Sequence, residues 1–123
     1  MKIDNQEIMV EIEGNLFHCA MDVSMNYLGG KWKTVVLWYL KDDKKRFAEL
    51  KRLIPQSSDR MLSITLKELE SDGMVRREVY NEKPPLKVEY SLTEFGKSCL
   101  PMLHEIAKWG RMISRSKGKV VEV

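Results

Sequence analysis

Residues Phe47 to Gly73 read FAELKRLIPQSSDRMLSITLKELESDG, and this stretch constrains the fold more than any other. Phe47, Leu50 and Leu53 share one face of a first helix, roughly Phe47–Leu53. Ile54-Pro55-Gln56 then interrupts the pattern, because proline disfavours a helical residue before it and has no N–H to donate. A second helix over about 57–72 opens at Ser57 or Ser58, either of which can accept an orphan N–H. It closes at Asp72-Gly73, where glycine can take the left-handed position past the helix end. Two short helices joined by a tight turn have the size of a helix-turn-helix, whose second helix enters a DNA major groove.

In the second helix Leu62, Leu66 and Leu69 recur at spacings of four and three and fix the inward face, with Met61 or Met74 as additions. The outward face then carries Asp59, Arg60, Ser63, Ile64 and Lys67, preceded by Ser57 and Ser58, and these are the candidate DNA contacts. Arginine and lysine can bond guanine O6 and N7, serine several base edges, and an isoleucine can pack on a thymine methyl. For an isolated helix with such a face, an ordinary solvated surface is the favoured reading. The next segment shifts the balance. Met74–Tyr80 and Leu86–Leu92 read as two strands, a β-hairpin over 74–92. Helix, helix, hairpin is the order of a winged helix. The hairpin offers Arg76, Arg77, Lys83 and Lys87, residue types that contact phosphates or the minor groove. Pro84-Pro85 would stiffen its tip and deny edge-strand pairing.

The flanks supply support and a reason for pairing. Ala20, Val23, Tyr27 and Leu28 form a helical stripe over Cys19–Leu28, which Gly29-Gly30 stops. The next helix, KWKTVVLWYL from Lys31 to Leu40, has almost no polar face and should be central. Thr93 can cap a long last helix, with Glu94 near its positive end. Phe95, Cys99, Leu103 (with Met102), Ile106, Gly110 and Ile113 form a stripe longer than a small core needs. A seam between two subunits is its natural use, since dimeric DNA binders set two recognition helices about one turn, ~34 Å, apart. Pro101 should bend this helix or mark its true start. Ile8, Val10 and Ile12 alternate with acids as one short strand ended by Gly14-Asn15, or as a frayed arm. The expected organisation is an N-terminal arm or strand over 1–18, a winged-helix and dimerisation domain over 19–115, and a flexible tail over 116–123. The class is mainly α with a small β-hairpin wing, an extra N-terminal helix and a long C-terminal helix.

A chain of 123 residues suggests one domain, and 43% hydrophobic with 32% charged residues are globular values. No run of 18 apolar residues spans a membrane, and the N-terminus lacks a signal peptide's apolar core, so the cytoplasm is the default. Cys19 and Cys99 have no metal-ligand spacing and read as reduced thiols. Residues 1–43 hold four Lys/Arg against seven Asp/Glu, whereas residues 44–91 hold eleven against eight. The helix-turn-helix and wing are thus basic relative to the N-terminal third, which suits a polyanion. No nucleophile–base set, paired-carboxylate pocket, phosphate loop or metal cluster marks an enzyme, and no cofactor is implied. His18 and His104 are isolated, and His18, one residue before Cys19, need not face its sulfur. A protein–protein interaction module remains the alternative, because winged helices serve there too.

Taken together these segments resemble the HxlR-type winged-helix transcriptional regulators, relatives of the MarR group, over about residues 19–110. The carriers are Cys19, LGGKW at Leu28–Trp32, RFAELKRLIP at Arg46–Pro55, MLSITLKELESDGMVRREVY at Met61–Tyr80, PPLKVEYSLTEFG at Pro84–Gly96 and KWG at Lys108–Gly110. Where the family usually has Cys-Pro, this chain has Cys19-Ala20. The resemblance implies a homodimer that binds inverted-repeat operator DNA near promoters, more often a repressor, with the terminal helix used in dimerisation. It also implies a candidate sensor of electrophiles or oxidants at Cys19, a position some members use so. A thiol at a helix N-terminus has a lowered pKa, consistent with that role. A small-molecule effector is a further possible partner.

Overall fold

The structure, a computed structural model, describes residues 2–3, 6–7, 9–119 and 121. The N-terminal segment is neither one strand nor a frayed arm. Strands β1 (Lys2–Ile3) and β2 (Gln6–Glu7) pair antiparallel, and β3 (Val10–Ile12) pairs with β4 (Asn15–Phe17). Glu13 at φ 48° and Gly14 at φ 83° make the β3–β4 turn, the left-handed pair that matches strand twist in a two-residue hairpin loop. Gly14 therefore turns the chain rather than ending the arm, and Asn15 begins a second strand. The expected contribution of Ile8 lies outside the described residues. Phe17 anchors this hairpin and is buried.

Six helices follow among the described residues: α1 (Ala20–Leu28), α2 (Lys33–Tyr39), α3 (Phe47–Leu53), α4 (Asp59–Ser71), α5 (Glu94–Lys97) and α6 (Leu100–Lys117). Between α4 and α5 the strands β5 (Val75–Val79) and β6 (Val88–Leu92) form the hairpin. Its register runs from Val75↔Leu92 at the buried base to Val79↔Val88 near the tip. Lys45 adds a one-residue third strand, exchanging both backbone hydrogen bonds with Tyr90 at 2.8 and 2.9 Å.

Each boundary has a local cause. In α3 the Glu49 carboxylate reaches back to accept the Arg46 N–H at 2.9 Å. Between the two serines offered for α4, Ser58 is the cap: its Oγ accepts the Met61 N–H at 3.0 Å. Gly73, at φ 78°, takes the left-handed position past the helix end. The expected single last helix is two. Thr93 caps only the four-residue α5, accepting the Gly96 N–H at 3.0 Å. Pro101 sits in the first turn of α6, where its missing N–H costs nothing, and marks that helix's true start.

The core is where α2, α3 and α4 meet. Val36, Leu37, Leu50, Leu62 and Leu69 are fully buried, and Leu66 nearly so. Burying a leucine fully stabilises by about 1.5–3 kcal/mol, so this cluster is what holds α4 in place. Met74 joins it at 2% exposure, while Met61 is 43% exposed and does not. Lys33 fastens α2 to the far end of α4 through Glu68 at 3.5 Å and Asp72 at 3.6 Å. Among the described residues no helix is long and apolar enough to cross a membrane.

Candidate nucleic-acid interface

With Leu62, Thr65, Leu66 and Leu69 turned inward, α4 leaves Asp59, Arg60 and Lys67 exposed, Ser63 half-exposed and Ile64 36% exposed. These are the outward residues that the leucine spacing implied. Ser57 is the exception. It is 2% exposed, and its Oγ donates to the Ser58 carbonyl at 3.2 Å, so its side chain cannot reach DNA. The tight turn folds it under α4, and it leaves the set of candidate contacts.

Arg76 and Arg77 are exposed on β5, and Lys83 and Lys87 on the wing loop. They do not form one patch. Arg77 stands opposite Tyr90 in the ladder, and the pair lines a groove with Ser63, Leu66, Lys67 and Glu70 of α4. One arginine of the hairpin thus lies beside Ser63 and Lys67 of α4. Arg76, one residue earlier, takes the opposite face of the hairpin and lies 4.0 Å from Glu78. The loop of Lys83 is closed by Asn81, whose Nδ2 donates to the Pro85 carbonyl at 3.0 Å.

Lys51 escaped sequence reading. Its ammonium donates to the carbonyls of Pro55, at 3.4 Å, and Ser57, and lies 3.9 Å from Asp59. It ties α3, the turn and the first residue of α4 together. A lysine on a helix surface gives no sign of this, because its partners are main-chain oxygens of a turn.

The residues expected at a dimer seam divide by exposure in the folded subunit. Phe95 and Ile106 are 46% and 47% exposed, and Gly110 and Ile113 are half-exposed. Leu103 is 3% exposed and belongs to the core, so it is corrected from the seam. Cys99 also packs against the core, and its Sγ donates to the Gly96 carbonyl at 3.1 Å. The stripe rotated because α6 starts at Leu100, after α5 has turned the chain. The apolar side chains that α6 presents outward are Met102, Ile106, Trp109 and Met112. Helix α1 adds Met21 and Met25, and Tyr27 meets Phe95 edge to face at 5.2 Å.

Cys19 is the N-cap residue of α1 and is partly exposed. Its thiol pKa is lowered, first by the backbone N–H of Asp22, then by the His18 side chain. His18 does therefore act on the sulfur, which its position in the sequence did not require. Cys99 is the opposite case, its thiol pushed up by burial.

The sequence model of the HxlR-like helix-turn-helix matches residues 27–117. An HTH-type transcriptional regulator of Methanothermobacter thermautotrophicus is 54% identical over 94 residues, covering 76% of this chain and 71% of that one. The solved structure of the redox regulator HypR in its reduced form superposes with a TM-score of 0.75 at 43% identity, covering 80% of this chain and 95% of HypR. The reduced form of the Bacillus subtilis transcriptional regulator YodB gives 0.65 at 34% identity, covering 80% and 94%. Fold and sequence thus agree, and the chain belongs to the HxlR-like helix-turn-helix family of transcriptional regulators.

Proposed function

We propose that this regulator acts in the cytoplasm as a homodimeric repressor on an inverted-repeat operator, with α4 in the major groove and the β5–β6 hairpin as wing. The observation that carries the reading is the groove in which Arg77 of the wing meets Ser63 and Lys67 of α4. Helix and wing there offer donors to a single duplex. Arg60, Ser63, Ile64 and Lys67 read bases, while Arg76, Lys83 and Lys87 neutralise phosphates. The apolar face of α6, with Phe95, supports pairing of two copies through that side. Gel-shift titration on the promoter beside its own gene tests the reading. Arg60→Ala or Lys67→Ala should lose about 1–3 kcal/mol of discrimination, and Lys83→Ala should weaken all sequences alike. Failure to bind any duplex at low salt rejects it.

Regulation by thiol chemistry at Cys19 is the second part of the proposal. HypR has been described in reduced and oxidised forms, and YodB in quinone-bound and diamide-treated forms. In this chain the support is the lowered pKa and partial exposure of Cys19. Operator affinity should fall on treatment with diamide or a quinone. An equal response from Cys19→Ser would sink the idea.

A further inference from the structure

Both faces of the β5–β6 hairpin carry basic side chains, and only one of them faces α4. Arg77 and Tyr90 line the groove against Ser63 and Lys67. Side chains alternate along a strand, so Arg76, Glu78 and Tyr80, with Lys87 and Glu89 across from them, belong to the other face. Lys44 joins them from the loop between α2 and α3. Its Nζ is 3.7 Å from Glu89 Oε1, and the Nζ of Lys87 is 3.9 Å from the same oxygen. Both ammoniums also lie against the Tyr80 ring, 5.5 and 5.4 Å from its centre, within cation–π range. The Tyr80 hydroxyl donates to Glu78 Oε2 at 3.1 Å, which fixes the ring.

The cluster is layered. The Glu89 side chain is only 14% exposed, whereas those of Lys44 and Lys87 are 55% and 52% exposed. The carboxylate is therefore the inner counter-charge and the two ammoniums form the outer surface. The Tyr80 hydroxyl, and after it Glu89, raise the Lys44 pKa and keep it charged. An ammonium has three donors, so each lysine can keep Glu89 and still donate outward.

We propose that Lys44 and Lys87 form a paired phosphate contact on the outer face of the wing, with Tyr80 and Glu89 as the residues that position the two ammoniums. The inference rests on the DNA-binding reading above. A minor groove is about 6 Å wide, so a wing entering it has a phosphate strand on each side. Arg77 faces the strand on the α4 side, and Lys44 with Lys87 faces the other. The second contact brings in a loop residue that neither the helix-turn-helix nor the hairpin contains.

The test uses the full chain, the promoter fragment beside its own gene and a scrambled duplex, titrated across a salt series. Lys44→Ala should weaken both duplexes by the same factor and reduce the log–log salt slope by about one. Lys44→Arg should restore the slope, and Lys97→Ala, on α5, should leave it unchanged. Tyr80→Leu keeps every charge and should still weaken both duplexes equally. Thermal melting of each variant separates these effects from unfolding. A folded Lys44→Ala protein with wild-type affinity and slope overturns the contact alone. A loss confined to the promoter fragment also overturns it, because phosphates carry no sequence. Absence of binding by the wild type overturns this contact and the DNA-binding reading together.

Discussion

The Thr93 hydroxyl donates to the Gly73 carbonyl at 2.6 Å, joining the end of α4 to the end of the β5–β6 hairpin across twenty residues of sequence. The same oxygen accepts the Gly96 N–H at 3.0 Å and caps α5. One side chain thus ties the end of α4 to the start of α5. The hairpin that lies between these points is consequently held at both ends of its base, with the Thr93 N–H also donating to the Met74 carbonyl at 3.1 Å.

This junction leaves no room at Gly96. A β-carbon there would stand 2.1 Å from the Met74 carbonyl oxygen. Gly96→Ala should destabilise the fold by about 1–3 kcal/mol, the usual cost of forcing atoms into a packed site. Urea unfolding measures it, and an unchanged midpoint would contradict the close approach.

Ser58→Ala removes the oxygen that accepts the Met61 N–H at the start of α4. A loss of about 1 kcal/mol of stability is expected. DNA affinity should fall as well, because the frayed turn is the one that carries Asp59 and Arg60. If the melting temperature and affinity both stay at wild-type values, Ser58 is not the functional cap.

Trp109 is 62% exposed on α6, yet it is a large apolar side chain between exposed Ile106 and Met112. Trp109→Asp should leave the subunit folded and convert a dimer to monomer in sedimentation equilibrium. If the protein binds the proposed inverted repeat as a dimer, operator affinity should drop with it. A variant that sediments as a dimer would move the seam off this face.

The two thiols should separate by pH. Because the Cys19 pKa is lowered, its thiolate forms below the pH at which an ordinary thiol ionises, and alkylation there should set in at a lower pH than at an ordinary thiol. Cys99, raised by burial, should react only at higher pH or after unfolding. His18→Ala should shift the Cys19 profile upward, because the imidazole favours the thiolate. Iodoacetamide labelling followed by peptide mass mapping reads each cysteine. Equal rates for both at neutral pH would overturn the assignment.

The sequence alone determined the local elements. The spacing of Leu62, Leu66 and Leu69, the break at Pro55, the Gly73 terminus and the alternation in Val75–Val79 and Val88–Leu92 all act over a few residues, through backbone sterics and periodic burial. That sufficed for the helix-turn-helix, the wing and most of the outward face of α4. The tertiary structure alone decided which side of each element faces what. It buried Ser57 under the turn, turned Leu103 into the core, and made Asn15–Phe17 the second strand of a hairpin. It also brought Lys44 against Tyr80 and Glu89, and Lys51 against the turn carbonyls. The reason is physical: periodicity fixes a side chain's angle about its own helix or strand, but only the packing of one element against another fixes which angle points to solvent.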